Sequence, residues 1–583
     1  MRKIYLLLIL MFILVGCMPQ KETAYRAGTY EAVVQGHNTK IKLSVTVDDE
    51  NILSVDILEQ KETSGIADPA LKEIPKRIVE GQTLNVDTIS SCTITSLAIL
   101  EGASEALKQA GADVEGLKNK PQEEKEYTQK SLEADVVVIG CGMAGLSAST
   151  TVAEAGGSVI VLEKMENCGG NTMRSGGTVN AIDPIRQSRQ GIVDSVELYI
   201  KNTYENGGMK GNLDLIRVMC ENSQSARYWI EEHGGKWNEL IYLTIGGLWP
   251  RSMDAKNNAT ETLIDPLLQA TEQNGGEILL NCKAEELLQD EDGTIIGVKA
   301  YGTKENTEYT IMAHHGVIMA TGGFAANAEM VNKYSSTIPE NNPTSNAPCA
   351  TGDGILMAEA VNANLVDMEY IIMHPNPGTN VYFTGMIDNS IYVNQNGERF
   401  VNEQSDRDEV CYAILDQPGQ VAYVLFDSNT INEDFWSTQD GGYQDFVKLA
   451  EEGKCGYGET VEELAESIGV DKEALQKTID EFNEMVEGKL SDPFGRELFY
   501  KKIEDGPYYA SIRTARTHNT LGGIEINTHA EVLDVEGNII PHFYAAGEVT
   551  GGIHGSNRIG GNSLTDCIVF GRIAGASALE AKE

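Results

Sequence analysis

The pattern of apolar and polar residues changes several times along the chain, and each change predicts a different kind of fold. Residues 29–34, 41–47 and 52–58 alternate in polarity, which predicts antiparallel strands. Two helical stretches follow, and the second spans Ser96 to Gln109. From residue 132 onward, short apolar runs alternate with helical segments, which predicts the parallel sheet of an α/β domain.

A mixed pattern of strands and helices begins near residue 370 and continues until glycine-rich α/β character returns near Ile524. In this stretch Thr460 and Glu463 predict a capping box at the start of a short helix, which Gly469 ends. The fold class is therefore α/β, a Rossmann-like nucleotide-binding domain with an inserted α+β capping domain, preceded by a small α+β domain. The predicted boundaries are 1–17 for a signal peptide, 28–116 for the small domain, 117–131 for a charged linker, 132–368 and 518–583 for the nucleotide-binding domain, and 369–517 for the capping domain.

The most informative motif is the run DVVVIGCGMAG at residues 135–145. Its branched residues predict a buried strand, after which a helix runs from Met143 to Glu154 and a parallel strand from Ser158 to Leu162. The three glycines allow a tight turn and a close approach of the backbone to a pyrophosphate, whose charge the helix N-terminus stabilises. Glu163, about 20 residues further on, can accept hydrogen bonds from ribose hydroxyls. Together these features predict a dinucleotide-binding fold.

The chain is strongly acidic, with 45 basic and 87 acidic residues and a formal net charge of −42. This charge repels a phosphate backbone and therefore argues against nucleic acid as a partner. An anionic substrate would need a pocket that is locally basic.

The first residues have the layout of a secretory signal. Arg2 and Lys3 precede an apolar stretch from Ile4 to Val15 that is too short to span a bilayer comfortably. The run LVGC at 14–17 is similar to a bacterial lipobox, in which Cys17 would be lipidated and become the mature N-terminus. We therefore expect an extracytoplasmic lipoprotein anchored to the bacterial cell membrane; the alternative is a buried N-terminal helix.

The 10 cysteines are scattered and form no CxxC or CxxCH motif. Haem attachment, an iron–sulfur cluster and a zinc site are therefore not expected, and no metal site is predicted. We expect Cys92, Cys141, Cys168 and the other cysteines to be small buried apolar residues and not redox centres.

Several later motifs carry a resemblance to a known family. They are GGNT at 169–172, ATGGF at 320–324, TGDG at 351–354, RFVNE at 399–403, HNTLGG at 518–523 and AGEVTGG at 546–552. With the run at 135–145, they resemble the flavoprotein subunits of the fumarate reductase and succinate dehydrogenase family, in particular exported single-chain reductases that add an FMN-binding domain. The resemblance covers nearly everything after residue 28.

The resemblance implies that the nucleotide-binding domain binds FAD non-covalently. Glu548 would meet the ribityl or pyrophosphate region, and residues 169–172 would lie along the isoalloxazine. The implied FAD-binding residues are Gly140, Gly142, Ala144, Gly145, Glu163, Lys164, Gly170, Asn171, Thr172, Gly176, Gly177, Thr321, Gly322, Gly323, Asp353, Glu548, Asn562, Ser563 and Leu564.

In this family two histidines and two arginines grip the substrate carboxylates, and the matching residues are His374, Arg407, His518 and Arg558. Guanidinium groups bind carboxylate oxygens in a bidentate way, and histidines add further donors. The structural alternatives are a turn histidine at position 374 and a surface ion pair at position 407.

The resemblance also implies a reaction, in which hydride passes from N5 of reduced FAD to one alkene carbon and Arg407 delivers a proton to the other. Fumarate reductases place a Glu and an Arg upstream of this arginine as a proton relay. The matching offsets here hold Phe383 and Met386, and Asp388 is an alternative relay. This departure argues against fumarate and favours an aryl- or alkyl-substituted enoate. The resemblance disfavours urocanate, because urocanate reductases carry a tyrosine at the position of His374.

The run DTISSCTITS at 87–96 resembles the FMN-attachment signature Asp-x-x-Ser-Gly-Ala-Thr. Thr93 matches the residue that carries FMN through a phosphoester bond, while Ser91 and Cys92 replace Gly and Ala. The alternative is a hydroxyl-rich turn that caps the following helix. With covalent FMN at Thr93, which a flavin transferase would attach, electrons would pass from a membrane or extracellular donor through FMN to FAD.

The sequence thus favours an FAD-dependent reductase of the CH–CH group that acts on an α,β-unsaturated carboxylate. A urocanate reductase and a 3-ketosteroid dehydrogenase-like oxidoreductase are alternatives on the same fold. A non-enzymatic alternative is a lipid-tethered flavin electron carrier, for which Thr93 alone would be sufficient.

Overall fold

The protein is described by a computed structural model that covers residues 24–580, apart from 37–39, 63–66, 87, 90–92, 121–126, 245–246, 341, 378–389, 429–445 and 500. The chain forms two compact units, Met1–Glu126 and Tyr127–Glu583. Within the described ranges, no helix has both the length and the apolar character that crossing a membrane requires.

The first unit is a three-stranded antiparallel sheet covered by helices. Its elements are β1 (Gly28–Gln35), β2 (Lys40–Val47), β3 (Ile52–Glu59), α1 (Asp68–Gly81), α2 (Thr93–Gln109) and α3 (Val114–Lys118). Strand β2 lies between β1 and β3, and its buried Leu43 and Val45 belong to the same core as Ile74 and Ile99 of the helices. The predicted strands and the helix that ends at Gln109 are confirmed.

The second unit begins with the nucleotide-binding fold. Its elements up to residue 366 are β4 (Thr128–Ile139), α4 (Met143–Glu154), β5 (Val159–Glu163), a 3₁₀ helix (Gly170–Arg174), β6 (Val179–Asn180), α5 (Pro184–Arg189), α6 (Val196–Asn206), α7 (Leu213–Glu232), β7 (Ser252–Met253), a π-helical turn (Thr260–Ile264), α8 (Asp265–Gln273), β8 (Glu277–Leu280), β9 (Cys282–Gln289), β10 (Ile295–Gly302), β11 (Thr307–Met319), α9 (Ala328–Tyr334), α10 (Asp353–Ala360) and β12 (Leu365–Val366).

The remaining elements form the inserted region and the return to the nucleotide-binding fold. They are β13 (Ile371–Asn376), β14 (Ile391–Val393), α11 (Arg407–Leu415), a 3₁₀ turn (Pro418–Gln420), β15 (Val421–Asp427), α12 (Phe446–Glu451), β16 (Gly456–Gly458), α13 (Val461–Ile468), α14 (Lys472–Val486), β17 (Tyr508–Thr520), β18 (Gly523–Ile524), β19 (Glu531–Leu533), β20 (Ile539–Ala545) and α15 (Asn562–Glu580).

The main sheet of the second unit has eight strands, of which β19, β20, β11, β4, β5 and β8 lie side by side in that order. Strands β20, β11, β4, β5 and β8 are parallel neighbours. Residues 136–139 of β4 are almost completely buried, as their continuous run of branched side chains predicts for a strand covered on both faces. The carboxyl ends of these strands lie at one edge of the sheet, where ligands of such folds bind.

The inserted region carries its own five-stranded sheet, in which β17 pairs with β13, β15 and β16. Helix α13 is capped as predicted, because the Thr460 hydroxyl accepts a hydrogen bond from the Glu463 amide and Gly469 adopts the left-handed conformation at its end.

Two predicted boundaries differ from the observed elements. Strand β4 starts at Thr128, inside the predicted linker 117–131, because residues 128–134 pair with residues 307–313 of β11. This extension contains polar residues such as Gln129 and Lys130, so it has no apolar run that predicts a strand. The predicted boundary between residues 517 and 518 falls within β17, which runs without interruption from the capping sheet toward the nucleotide-binding fold.

Candidate active site

The first glycine turn lies where β4 ends and α4 begins. Gly140 adopts a φ of +106°, in the region that favours glycine, and Gly142 is the N-cap of α4. A Cβ at Gly145 would lie 1.9 Å from the carbonyl oxygen of Gly140, so only glycine lets the helix approach the strand this closely. Ala144 lies in the first turn of the helix. The turn therefore presents the free amides of a helix N-terminus, as an anion such as a pyrophosphate requires.

Glu163 joins this turn to the end of β5. Its carboxylate accepts hydrogen bonds of 2.9 Å from the amide of Cys141 and from the amide of Met165. A carboxylate has about four lone-pair sites, so capacity remains for the ribose hydroxyls that the sequence predicts at this position.

A disulfide bond joins Cys141, inside the first glycine turn, to Cys168, directly before Gly169. Both cysteines are buried, as predicted, but they are bonded to each other, which the sequence analysis did not predict. Because β4 and β5 are parallel neighbours, the loops that follow them lie side by side, and the Gly169 amide also donates to the Cys141 carbonyl. This pairing has no CxxC signature, since it arises from strand adjacency and not from spacing in the chain.

Six other cysteines in the described part of the chain are free thiols. Three of them are buried, namely Cys220, Cys282 and Cys411, and burial raises the pKa of each thiol to about 12 or higher. These thiols are protonated at neutral pH and pack as small apolar groups, as the sequence predicts. Cys92 lies outside the described residues.

The GGNT segment lies against Glu548. The side-chain amide of Asn171 donates to Glu548 Oε2 at 3.3 Å, and its oxygen accepts from the Ala347 amide at 2.7 Å. Gly170 has a φ of +50° and Thr172 is buried. Further along this segment, Gly176 is exposed, whereas Gly177 is buried and has a φ of +70°.

The glycine turn after β11 lies against the same carboxylate. A Cβ at Gly323 would lie 2.7 Å from Glu548 Oε1 and 2.0 Å from the Thr520 hydroxyl. Gly322 has a φ of +74°. The Thr321 hydroxyl is buried and, among the described residues, has no hydrogen-bond partner. A buried unpaired hydroxyl is costly, which is consistent with a ligand that supplies its partner.

Lys164 and Asp353, both predicted to bind the cofactor, form a salt bridge of 2.9 Å. The Lys164 ammonium also donates to the Thr351 hydroxyl at 2.7 Å. Burial tends to raise the pKa of Asp353, but the ammonium of Lys164 outweighs it and the net shift is downward. The pair is therefore ionised and fixes the TGDG motif beside the end of β5.

The predicted residues Asn562, Ser563 and Leu564 form the first turn of α15. The Asn562 side chain is fully buried and bonded to Asn180 and Tyr199, so it holds the helix start in place and does not face a cofactor. The backbone amides at the N-terminus of this long helix, and not the Asn562 side chain, would contact FAD.

These segments fit an FAD molecule on three grounds. The turn at Gly140 can hold a pyrophosphate, and Glu163 has free lone pairs for a ribose. The unpaired Thr321 hydroxyl lies in the glycine turn after β11. All of them are at the carboxyl edge of the parallel sheet, where β4, β5 and β11 end. The residues present are those that would hold FAD with its isoalloxazine near Asn171 and Glu548.

The four predicted substrate-binding side chains come from four different elements and are brought together. His374 lies on β13, His518 on β17, Arg407 starts α11 and Arg558 precedes α15. Three of them have a solvent-exposed fraction of 7 or 8%: His374, Arg407 and Arg558. The alternative of a surface ion pair at Arg407 is therefore excluded. We call these four residues the carboxylate clamp.

The two histidine rings of the clamp lie in contact, tilted by 55°, because β13 and β17 are antiparallel neighbours. Their ring centroids are 4.9 Å apart. Nδ1 of His518 is 2.8 Å from the Ser345 hydroxyl, and Nδ1 of His374 is 3.1 Å from the Pro375 carbonyl oxygen. The Pro375 carbonyl can only accept, so Nδ1 of neutral His374 carries the proton. Nδ1 of His518 can accept from the Ser345 hydroxyl, which places the proton of that ring on Nε2.

Burial controls the charge of the histidines. Burial first, and then the Arg407 guanidinium, lowers the pKa of His374 well below its ordinary value. Burial, followed by His374, Arg558 and Arg407, does the same to the pKa of His518. Both imidazoles are therefore neutral at pH 7, and the positive charge of the clamp resides on its two arginines.

The arginines repel each other and so form a site for an anion. Burial, followed by repulsion from Arg407, lowers the pKa of Arg558 to about 9. Arg558 Nε donates to Asn519 Oδ1 at 3.1 Å, and Asn519 also hydrogen-bonds Glu548. Asn519 thereby ties the clamp to the segment that would hold the flavin. A carboxylate bound between the two guanidiniums would relieve their repulsion.

Sequence reasoning missed the residues that support the clamp. Asn519, Ser345 and Asn346 orient its members, because Asn346 hydrogen-bonds the carbonyl of His518 and Ser345 its ring. Asn519 lies inside the HNTLGG motif and could have been noticed there, but Ser345 and Asn346 carry no motif signal. The proposed relay positions Phe383, Met386 and Asp388, and Cys17, lie outside the described residues. Thr93 is the first residue of α2.

Two domain families match the chain. The family described as FAD binding domain matches residues 135–564, and the family described as FMN-binding domain matches residues 36–108. The first match covers more than half of the chain. This chain belongs to the fumarate reductase flavoprotein family. The predicted fold class and the presence of FAD-binding and FMN-binding domains are confirmed.

Characterised relatives extend over both domains. A urocanate reductase of Eggerthella lenta is 33% identical, over 97% of this chain and 95% of that protein. An NADH:acrylate oxidoreductase of Vibrio harveyi is 35% identical over 95% of this chain, which spans only 61% of the length of that relative. Among solved structures, the open conformation of a flavocytochrome c3 fumarate reductase is similar, with 33% identity, a TM-score of 0.66 and coverage of 78% of this chain and 79% of that one. A 3-ketosteroid-Δ4-(5α)-dehydrogenase of Rhodococcus jostii has 27% identity, a TM-score of 0.59 and coverage of 79% and 98%.

Proposed function

We propose that this protein reduces the C=C bond of an α,β-unsaturated carboxylate. The observation that carries the proposal is the convergence of two buried arginines and two neutral histidines beside the residues that would hold FAD. A carboxylate between two buried guanidiniums is strongly stabilised, and the relatives include reductases of fumarate, urocanate and acrylate. The bound FAD would supply the hydride.

The clamp residues would bind the substrate and stabilise the charge that develops on it. Arg558, held by Asn519, would grip the carboxylate in a bidentate way. His518, whose Nδ1 can accept from the Ser345 hydroxyl, would donate one hydrogen bond from Nε2, and neutral His374 would pack against the substrate. As hydride reaches the β carbon, negative charge builds toward the carboxylate, and fixed donors aimed at it contribute a few kcal/mol each.

Arg407 would deliver the proton to the α carbon. A guanidinium ordinarily holds its proton too tightly for this role. Two features of its position oppose the positive charge, since Arg407 begins α11, at the positive end of the helix dipole, and lies close enough to Arg558 for mutual repulsion. Both make its proton easier to lose during the reaction.

The test is an anaerobic acceptor screen of flavin-loaded protein reduced with methyl viologen. We expect at least one enoate to reoxidise the viologen catalytically, and Arg407→Ala to lower the rate by roughly 10³-fold or more while FAD remains bound. Arg189→Ala, which removes an exposed arginine of α5, is the matched control and should be unaffected. No turnover with any enoate of the panel would contradict the proposal.

A 3-ketosteroid dehydrogenase activity is the second candidate, because such an enzyme has the same fold. A neutral ketone, however, does not compensate the charge of two buried guanidiniums, so the clamp disfavours it. In the same anaerobic apparatus, reduction of the oxidised flavin by a saturated steroid would support this candidate, and reoxidation of the reduced flavin by an enoate would exclude it.

We further propose that the protein acts outside the cytoplasm. Cys17 would carry a lipid anchor, and a flavin transferase would attach FMN to Thr93. A membrane or extracellular donor would then pass electrons through FMN to FAD. The disulfide between Cys141 and Cys168 supports this location, since such bonds persist mainly in oxidising compartments. Intact-protein mass spectrometry of membrane-extracted protein would test both modifications, and a chain that lacks FMN would contradict the attachment at Thr93.

A further inference from the structure

A polar cluster outside the carboxylate clamp consists of Thr178, Tyr242 and Asp254. The Thr178 hydroxyl donates to Asp254 Oδ1 at 2.5 Å, and the Tyr242 hydroxyl donates to the same oxygen at 2.7 Å. Thr178 and Asp254 are cross-strand neighbours, since they continue the pairing of Val179 with Met253 between β6 and β7. We call these three residues the acid cluster.

The acid cluster lies next to the segment that would hold the isoalloxazine. Thr178 directly follows Gly176 and Gly177, and the amide of Ala255, the residue after Asp254, donates to the Gly177 carbonyl at 3.2 Å. All three members of the cluster are partly accessible, so they are not sealed inside the core.

The acid cluster is also connected to the clamp, along two paths. Asn180, two residues beyond Thr178 on β6, donates to the Gly560 carbonyl in the loop that carries Arg558. A Cβ at Gly560 would lie 2.6 Å from Arg407 Nη2 and 2.6 Å from the Thr244 hydroxyl, and Thr244 is two residues beyond Tyr242. Tyr242 and Thr244 belong to one short segment, so this segment links the acid cluster to the Gly560 loop beside Arg407.

Asp254 is not fully satisfied within the described residues. Both hydroxyls bind Oδ1, and those residues supply neither a hydrogen bond to Oδ2 nor a salt bridge. Burial raises the pKa of Asp254, and the two hydroxyls only partly offset this. A carboxylate in such surroundings is stabilised by an additional donor and destabilised by another anion.

We propose that Asp254 determines substrate specificity and selects enoates whose β-substituent ends in a hydrogen-bond donor, such as a phenol hydroxyl or an imidazole N–H. This inference rests on the proposed reductase function. The clamp would hold the carboxylate, the alkene would lie over the flavin, and the donor would reach Oδ2 of Asp254. Fumarate fits less well, because its second carboxylate would be repelled by the carboxylate of Asp254.

The preference follows from what each substrate leaves unpaired. An enoate with a plain phenyl group would desolvate Asp254 without replacing its water, whereas a phenol would restore the hydrogen bond. A site that is built to bind a hydroxyl rejects the analogue that lacks it by a large factor. 4-Hydroxycinnamate and cinnamate differ by this one group, and urocanate tests an N–H donor.

The experiment measures kcat/KM for 4-hydroxycinnamate, urocanate, cinnamate and acrylate with viologen-reduced, flavin-loaded enzyme. We expect the wild-type enzyme to prefer the two donor-bearing substrates over cinnamate by roughly tenfold or more. Asp254→Asn should reduce this preference to about twofold or less, mainly through a higher KM for the donor-bearing substrates. Asp292→Asn, at an exposed hairpin turn, is the matched control and should keep the wild-type ratio.

Tyr242→Phe provides a second variant that leaves Asp254 in place. It removes one of the two internal donors, so the carboxylate depends more on the substrate, and the preference for donor-bearing substrates should increase. FAD absorbance of each variant verifies that the site is folded.

The outcomes separate the two proposals. If no enoate reoxidises the reduced enzyme, both the reductase function and the role of Asp254 are wrong. If enoates are reduced but the wild-type enzyme shows no preference for a donor, or Asp254→Asn keeps the wild-type ratio, the role of Asp254 alone is wrong.

Discussion

At the scale of residues, the clamp combines two cationic arginines with two neutral histidines. Burial and the neighbouring guanidiniums lower the pKa values of His374 and His518, so these side chains are neutral. Arg558 stays cationic even with its pKa lowered to about 9. In the proposed reaction the substrate carboxylate would meet two positive charges and two neutral imidazoles, an arrangement that suits one anion and disfavours a neutral ketone.

Arg558 should be sensitive even to a substitution that keeps its charge. Arg558→Lys removes the planar fork that binds both a carboxylate and Asn519, and an ammonium cannot reproduce that geometry. We expect KM for the enoate to rise by roughly tenfold or more, with a smaller change in kcat. Steady-state kinetics would check this, with Arg189→Lys as the control. An unchanged KM would show that Arg558 does not touch the substrate.

Asp408, the neighbour of Arg407, makes stability depend on pH. Burial raises its pKa to about 6, although its carboxylate accepts a hydrogen bond from the Met373 amide. Because the folded pKa is above the unfolded value, the proton favours the folded state, and stability falls as pH rises from about 4 through 6.

Asp408→Asn removes this charge and keeps an acceptor for the Met373 amide. We expect the variant to have a Tm higher than that of the wild type by roughly 2–4 °C at pH 8, and a much smaller difference at pH 4.5. Thermal unfolding at the two pH values would measure this. An equal difference at both values would mean that the titration of Asp408 is not the cause.

At the scale of elements, what could be predicted depended on whether the signal was local. The helix Met143–Glu154 has the predicted bounds, because its glycines and apolar residues are contiguous in the sequence. The polar beginning of β4 was missed because pairing with β11, and not its own composition, makes it a strand. The disulfide between Cys141 and Cys168 was missed for the same reason, since only the adjacency of β4 and β5 brings the two loops together.

The disulfide should stabilise the loops that hold FAD. It closes a segment with a sequence separation of 27, and in the loop-entropy description this corresponds to about 3 kcal/mol. We expect the double variant Cys141→Ser/Cys168→Ser to release FAD faster than the wild type, as measured by the rise in flavin fluorescence on mild heating. Cys455→Ser, a free cysteine of the inserted region, is the control. An unchanged release rate would show that the bond has no role in holding the loops.

At the scale of the whole molecule, the sequence predicted which side chains belong together but not how they are held. Family motifs brought His374, Arg407, His518 and Arg558 into one site, and the structure confirms their convergence. Ser345, Asn346 and the acid cluster of Thr178, Tyr242 and Asp254 lack such motifs. Their positions depend on strand register, which the sequence alone does not fix. The overall charge of −42 likewise gives no hint that the clamp is cationic.

The proposed transfer of electrons from FMN to FAD can be tested by removing the FMN attachment residue. If FMN is attached to Thr93 and relays electrons to FAD, Thr93→Ala should lose the covalent flavin and the reduction by a membrane-derived donor. The variant should still bind FAD and, once its FAD is reduced chemically, transfer the electrons to an enoate. Mass spectrometry and anaerobic spectroscopy would check the two parts. Full activity with the physiological donor in this variant would contradict the relay.

The central claim is that the clamp binds an enoate above the flavin and that Arg407 donates the proton. Its most direct test is an anaerobic stopped-flow measurement of the reduced FAD absorbance after mixing with an accepted enoate, in the wild type and in Arg407→Gln. We expect rapid reoxidation in the wild type and, in the variant, reoxidation slower by roughly 10³-fold with the flavin still bound. Equal reoxidation rates in the two proteins would contradict the account.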